Sequence, residues 1–367
     1  MTKIFYDGSI YGFQKKGGIS RYFDNIISGL PSEITPILTS ICSSKEPHPY
    51  HPNLKLFNYK RFGFKPGRLC YWLEPYYFKS VEFLNSYQVY HPTYYSLLTR
   101  EIVGKKKCPV VITVYDMIHE IFAETMFQQD QTIYLKRNAI LSADVILCIS
   151  ESTKSDLLER YPSVENRVRV THLATDFDDT LGYGNEPIPC QPFFVYVGGR
   201  SEYKNFNNLL TAFKKVVSKA PEVLLCVVGA TFFDSEKRLI SKLNLDDKIL
   251  NFSNVSDAYL AKLYRHSIAL VYPSLYEGFG IPPLEAMICK TAVIASNTSS
   301  IPEVVGDAGL LFNPNSVDEL VDNLLFLIDY PSERDKLILK GLERLKLFSW
   351  EKTVQKTLLA YADTSGF

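Results

Sequence analysis

The sequence predicts an α/β protein built from two doubly wound parallel sheets, and three observations carry that prediction. Short apolar runs alternate with amphipathic, helix-length segments along the whole chain. Its 367 residues exceed what one hydrophobic core usually organises. A proline- and glycine-rich stretch interrupts the alternation near the middle. Lys3–Tyr6, Val89–His91, Val110–Val114, Val145–Ile149 and Val168–Thr171 read as strands of the first half. Phe193–Val197, Leu224–Val228, Ile249–Phe252, Ile268–Tyr272, Ala292–Ala295 and Leu310–Phe312 read as strands of the second. Most are apolar at consecutive positions, as strands covered on both faces by helices are. Asn208–Lys219, Asp257–Arg265, Pro283–Ile288 and Val317–Ile328 read as helices between them. Residues 1–178 form the expected first domain and 193–348 the second. The linker, 179–192, contains Gly182, Gly184, Pro187, Pro189 and Pro192. A helix within 349–367 closes the chain and is free to pack back on the first domain. Two such domains facing across a cleft place ligands at the carboxyl ends of their strands.

Composition removes several function classes. The chain holds 40 Lys plus Arg and 40 Asp plus Glu, a net charge of zero that excludes a general polyanion binder. Residues 1–110 nevertheless hold 15 basic and 7 acidic residues, a net of +8, and the remainder 25 and 33, a net of −8. With 46% hydrophobic residues, long disorder is not expected. No secretory leader or membrane-length apolar run is read, and Cys42, Cys70, Cys108, Cys148, Cys190, Cys226 and Cys289 are scattered without a Cys-x-x-Cys pair. Reduced thiols in a cytoplasmic protein are the expectation, and Asn297-Thr298-Ser299 is discounted as a glycosylation acceptor.

Three segments combine glycines with charge. In Tyr276-Glu277-Gly278-Phe279-Gly280-Ile281-Pro282-Pro283-Leu284-Glu285-Ala286, a strand leads into a glycine turn and then a helix whose first turn accepts the two prolines. The turn lets backbone N–H groups approach an anion, and Glu277 and Glu285 can accept from hydroxyls. Glu285 is expected in the first turn of that helix. The segment lacks the third glycine of a dinucleotide fingerprint and falls late in the chain. In Gly198-Gly199-Arg200-Ser201-Glu202-Tyr203-Lys204-Asn205, a planar fork and a point charge follow a buried strand, a pair suited to a diphosphate leaving group. In Lys15-Lys16-Gly17-Gly18-Ile19-Ser20-Arg21, two glycines open a helix whose N–H groups can face an anion. Asp176-Phe177-Asp178 has metal-binding spacing but leads straight into the linker, so no metal site is assigned.

Together with Ser299-Ser300-Ile301-Pro302-Glu303-Val304, these segments resemble the retaining glycosyltransferases of family 4, which have the GT-B fold. The resemblance spans nearly the whole chain and is most specific in the second half. It implies two Rossmann-like domains, an acceptor-binding first and a donor-binding second, with a nucleoside-diphosphate sugar as donor substrate and no cofactor. By the same resemblance Arg200 and Lys204 bind the diphosphate, Glu285 the ribose and Glu277 the transferred sugar. Gly278, Phe279, Gly280 and Ile281 add main-chain contacts, Gly17 and Gly18 approach from the first domain, and Asn254-Val255 lies near the nucleobase. Where related enzymes carry His-Asp, this chain reads Tyr115-Asp116. Asp116 matches the pattern, while Tyr115 and His119 become acceptor-side candidates. Glu277, Asp116, Arg200 and Lys204 are the expected catalytic set.

The first domain also carries Lys60, Arg61, Lys65 and Arg68 interleaved with Tyr59, Phe62, Phe64, Tyr71, Trp72, Tyr76, Tyr77 and Phe78. That stretch reads either as a surface for an anionic membrane or lipid-linked acceptor, or as half core and half sugar-stacking platform. The expected function is transfer of a hexose from a UDP- or GDP-sugar to a glycan acceptor in surface polysaccharide synthesis. The alternatives are another GT-B activity, such as an epimerase or disaccharide synthase, and a catalytically silent sugar-nucleotide binder.

Overall fold

A computed structural model of the protein describes residues 2–14, 17–41, 48–61, 67–123 and 130–365, without the side chains of 67, 68, 130 and 365. The chain divides into two compact units, Met1–Leu173 with Trp350–Phe367, and Ala174–Ser349.

In the first unit, β1 (Thr2–Asp7), β2 (Ile34–Ser40), β3 (Lys55–Asn58) and β4 (Val89–Tyr90) form a parallel sheet in the order β3-β2-β1-β4. A parallel bridge from Tyr90 to Val110 carries it towards β5 (Val111–Val114), β6 (Val145–Cys148) and β7 (Val168–Val170). The order reverses between β1 and β4, so the carboxyl end of the sheet there is the natural ligand position. Helices α1 (Gly18–Ser28), α2 (Gly67–Leu84), α3 (Ile118–Ile121), α4 (Asp130–Ser142) and α5 (Glu151–Arg160) connect the strands.

Two of these elements escape the sequence reading for physical reasons. β2 contains Pro36, a residue that argues against an inner strand, yet it pairs with both β1 and β3. α2 contains Pro75, which removes the helical N–H that Tyr71 O would accept. Arg100 Nη2 fills that vacancy at 2.6 Å, with its guanidinium 3.7 Å over the Tyr71 ring.

The second unit repeats the plan. β8 (Phe193–Val197), β9 (Leu224–Val228), β10 (Ile249–Phe252), β11 (Ala269–Tyr272), β12 (Ala292–Ser296) and β13 (Leu310–Phe312) pair in parallel in the order β10-β9-β8-β11-β12-β13. They alternate with α6 (Phe206–Val217), α7 (Asp234–Lys242), α8 (Asp257–His266), α9 (Ile281–Ile288), α10 (Ile301–Val305), α11 (Val317–Asp329) and α12 (Pro331–Leu345). Phe194, Leu225, Val271 and Ile294 meet Leu209, Phe213 and Leu324 in one apolar core. Residues 179–192 run along this unit: Arg265 donates to Asp179 O and Leu181 O, Lys262 to Gly184 O and Glu186 O, and Tyr259 to Pro187 O.

The last helix, α13 (Trp350–Ser365), belongs to the first unit. Its Tyr361 hydroxyl lies 2.6 Å from His91 Nδ1 and 3.2 Å from the Tyr6 hydroxyl, all three residues fully buried. His91 Nε2 meets Thr113 Oγ1 at 2.9 Å. Burial drives the His91 pKa down to about 3, below its usual 6.5. The unfolded chain therefore binds a proton at position 91 that the folded chain refuses, and stability falls as pH drops from 6.5 towards 3. The dependence of unfolding midpoint on pH is expected to be shallower in His91→Gln than in the parent across that window; equal slopes would contradict this assignment.

Candidate functional site

Four of the residues singled out in the sequence gather at the carboxyl end of the second sheet. β8 ends at Val197, and the loop that follows turns through Gly198, at φ +132°, before a 3-10 turn (Glu202–Lys204) ends on Asn205 in the left-handed region. The Asn205 side chain donates to Pro273 O at 3.1 Å and Pro314 O at 2.8 Å, and Leu275 N donates to Tyr203 O at 2.7 Å. The loop after β8 is thereby fastened to the loop after β11, so Lys204 and Glu277 meet although 73 residues separate them: Lys204 Nζ lies 2.6 Å from Glu277 Oε1. Their side chains are 18% and 11% exposed, enclosed yet reachable.

Glu277 is held from three sides. Its N–H donates to Ser299 Oγ at 2.9 Å, with Ser299 itself at φ +51°. The buried Ser300 hydroxyl lies 2.8 Å from Glu277 O and 2.7 Å from Phe279 O. Beneath it, the buried Tyr272 hydroxyl is kept protonated by desolvation and by the charge and hydrogen bond of Glu277. The turn ends on Gly280, at φ +116°, which caps α9, with Pro282 and Pro283 in the first turn as expected. Phe279 packs edge-on to Phe348. Because α9 starts at Ile281, Glu285 is its fifth residue and lies in the second turn, which corrects the first-turn expectation. It is 8% exposed, and Oε2 accepts from the Tyr264 hydroxyl of α8 at 3.1 Å. A Cβ on Gly280 would meet no atom closer than 3.8 Å, so Gly280→Ala isolates backbone strain. Urea titration is expected to show a loss of about 1–3 kcal/mol.

Arg200 takes a different position from a free phosphate ligand. Its side chain is 2% exposed, with Nε 2.7 Å from Glu236 Oε1, and Nη2 3.1 Å from Glu236 Oε2 and 3.0 Å from Thr231 O. The Phe232 ring lies 5.0 Å from the guanidinium. Nη1 is buried and has no partner among the described residues. A Cβ on Gly229 would sit 3.3 Å from that nitrogen and 2.6 Å from Gly198 O, so the glycine keeps the approach clear. Glu236 is missed by the sequence reading: in Asp234-Ser235-Glu236-Lys237-Arg238 it looks like one more solvated helix charge. Val255 lies between β10 and α8, after Asn254 at φ +55° and before Ser256, whose hydroxyl accepts from Tyr259 N.

The remaining candidates belong to the first unit, at the carboxyl end of its sheet. Gly17 precedes α1 in extended conformation and Gly18 opens the helix. Gly17 N donates to Ser20 Oγ at 3.0 Å, so one of the two glycine N–H groups expected to face an anion has an internal partner, and Ser20 N donates to Gln14 Oε1 at 3.2 Å. Lys15 and Lys16 lie outside the described residues. Asp116 follows β5, accepts from Ile118 N at 3.1 Å and is 32% exposed. The 1%-exposed Lys136 donates to Asp116 O at 3.1 Å and to Glu120 Oε2 at 2.8 Å. Tyr115 is buried and gives its hydroxyl to Thr93 O at 3.2 Å. Half-buried His119 is held below its usual pKa by desolvation and by Lys136.

In the basic, aromatic stretch, Arg61 makes a two-point ion pair with buried Glu74, and Phe78 is core. Tyr71, Trp72 and Tyr76 are exposed. Phe62, Phe64, Lys65 and the Arg68 side chain are outside the described residues. Asp178 accepts from Thr180 N and Oγ1 in a local turn.

Comparison with known proteins places these features in context. A model described as "Glycosyl transferases group 1" matches residues 185–344, and one described as "Glycosyltransferase Family 4" matches 16–179. The chain is 31% identical over 247 residues to O-antigen chain mannosyltransferase B of Escherichia coli, covering 64% of this chain and 65% of that one. It is 30% identical over 220 residues to MMP alpha-(1->4)-mannosyltransferase of Mycolicibacterium hassiacum, covering 59% and 53%. The chain thus spans about half to two thirds of the length of these curated relatives. Among solved structures, sucrose-phosphate synthase from Thermosynechococcus elongatus superposes with a TM-score of 0.78 at 20% identity, covering 99% of both chains. Anabaena HepE in complex with UDP-glucose gives 0.71 at 16%, covering 99% and 100%. At these identities the likeness is one of fold, the GT-B arrangement of two Rossmann-like domains.

Proposed function

We propose, from the premise that this chain belongs to the glycosyltransferases of the group 1 and family 4 type, that it transfers a hexose from a nucleoside-diphosphate sugar to a glycan acceptor of a surface polysaccharide. The names of the relatives favour mannose as that hexose, the UDP-glucose bound by a structural neighbour favours a nucleoside-diphosphate sugar, and the proposed donor is a UDP- or GDP-hexose. The observation that carries the reading is the 2.6 Å Lys204–Glu277 pair, set beside the glycine turn that opens α9. In the resting protein each cation is already matched: Lys204 by Glu277, Arg200 by Glu236. A donor diphosphate draws Lys204 to itself and frees Glu277 for the sugar hydroxyls, so binding the donor and arming the carboxylate are one event. The unpartnered Arg200 Nη1 and the main chain of Gly278, Phe279, Gly280 and Ile281 add donors, and Glu285, steadied by Tyr264, takes the ribose.

As the C1–O bond to the diphosphate breaks, its electron pair passes to the phosphate and the sugar becomes oxocarbenium-like. Lys204 and Arg200 stabilise the departing charge, work that a metal ion does in other transferases. The acceptor hydroxyl bonds to C1 on the face the leaving group quits, which retains configuration, and passes its proton to the departing phosphate oxygen. Glu277 positions and stabilises, and Asp116 serves the acceptor side with Tyr115 and His119 near it in sequence. The first domain supplies Gly17 and Gly18, and its exposed basic and aromatic residues make peripheral contact with an anionic membrane face.

Transfer is expected to survive EDTA; abolition would overturn the metal-free chemistry. A thermal-shift screen of UDP-, GDP-, ADP- and TDP-hexoses tests the donor. The true donor at 100 times its Kd stabilises by about 2.7 kcal/mol. A flat response to all four would remove the sugar-nucleotide reading.

A further inference from the structure

A cavity of about 880 Å³ opens in the first unit, away from every residue assigned above. It is lined by the end of α2, by residues 85–87 just before β4 and by 101–108 just before β5, so it lies at the amino end of the sheet. The Gly17 and Asp116 loops leave the opposite, carboxyl end. Four lysines face it: Lys79 is paired with Glu101 at 2.7 Å and Lys106 with Glu82 at 2.6 Å. Tyr87 adds its hydroxyl to Glu82 at 3.1 Å, fixing that wall. Lys105 and Lys107 have no acidic partner among the described residues, which leaves the cavity an excess of two positive charges. Its size suits a small anionic ligand.

A groove of about 350 Å³ adjoins it and shares Lys79 and Phe83. Its other walls are Tyr76, Ser80 and Leu84. Phe83 is 89% and Leu84 78% exposed, and Trp72 and Tyr76, one turn apart on α2, continue the stripe with their rings 5.2 Å apart. A cationic cavity running into an uncovered apolar groove asks for a ligand with an anionic head and an apolar tail. Trp and Tyr at its margin are the side chains that sit at a headgroup layer. Among the described residues no helix is long and apolar enough to cross a membrane, so contact would be by this surface.

We infer that the cavity and groove together seat one anionic phospholipid of a bilayer surface, its phosphate against Lys105 and Lys107 and its acyl chain over Phe83 and Leu84. The inference deepens the membrane contact of the proposed function by moving its basic element from residues 60–68 to the Lys105–Lys107 loop and its apolar element to the end of α2. Arg61, neutralised by Glu74, has no part in it.

The full chain is mixed with phosphatidylcholine vesicles, with or without phosphatidylglycerol, and sedimented. Binding is expected only to the mixed vesicles and is expected to weaken as salt rises. Lys105→Ala with Lys107→Ala should bind roughly 30-fold more weakly, from about 1 kcal/mol per lysine. Phe83→Ser with Leu84→Ser should also weaken binding, with the unfolding midpoint retained because both side chains are exposed. Equal binding of the parent to both vesicle types, or parent-like binding by both double variants, would overturn the inference. So would competition by inorganic phosphate that ignores Phe83 and Leu84, or a Phe83/Leu84 variant that merely loses self-association. Donor hydrolysis is measured alongside and should be unchanged in all variants; its absence from the parent would sink the transferase reading while leaving the vesicle result standing.

Discussion

Lys204→Ala is expected to lower kcat/KM for sugar transfer by about 10²–10³, the effect of removing one preorganised donor to developing charge. The geometry explains why so much rests on one ammonium group. In the proposed mechanism Lys204 is the cation that changes partners, leaving Glu277 for the diphosphate, whereas Arg200 keeps Glu236 through two hydrogen bonds. Its loss removes a phosphate ligand and also leaves Glu277 close to the incoming diphosphate with no cation between them. Glu277→Gln should lower kcat as well, and the double variant should lose less than the sum of the two, because they act through one pair. The folded state should tolerate the change, since both side chains retain access to water. Unchanged kcat/KM in Lys204→Ala would remove the diphosphate assignment.

Glu236→Ala should be the most destabilising substitution in the site, by about 3–5 kcal/mol. It strands the Arg200 guanidinium, 2% exposed, without a counter-charge, and deprives Phe233 N of its 2.7 Å acceptor at the start of α7. Urea unfolding measures the loss. Arg200→Met combined with Glu236→Met removes both charges and should recover much of the stability while transfer stays impaired. If Glu236→Ala unfolds like the parent, the pair is not the buried contact described here. If the double Met variant transfers sugar normally, Arg200 has no part in donor binding.

These two pairs also mark how far the sequence could be read. Arg200 and Lys204 stand out because they follow an unbroken apolar strand and two glycines, and Glu277 and Glu285 because they flank a turn rich in glycine and proline. The strands of the second unit are legible for the same reason: parallel strands covered on both faces leave consecutive apolar letters. The partners do not stand out. Glu236 and Tyr264 carry no local signal, and only the packing of α7 and α8 brings them to the site; Tyr272 is close in sequence to Glu277, but nothing local marks it as its hydroxyl partner. Ser299 and Ser300 were visible within a motif, but their grip on the Glu277 loop needs the turn at φ +51°. In the first unit, β2 and α2 are obscured by Pro36 and Pro75, and the vacancy left by Pro75 is filled by Arg100, which no local window contains.

The position of α13 bears on how the molecule is born. Tyr361 closes against His91 and Tyr6, and Thr353 donates to His172 O at 2.6 Å, so the first unit is completed by a helix made after the whole second unit. The second unit, continuous from Ala174 to Ser349, has all its strands and helices available before α13 is synthesised. Synthesis order and completion order are therefore reversed: the first unit waits, its seat for Tyr361 uncovered, until α13 has been made. A chain cut before α13 would spare the second unit and leave the first unit open to chaperones and proteases.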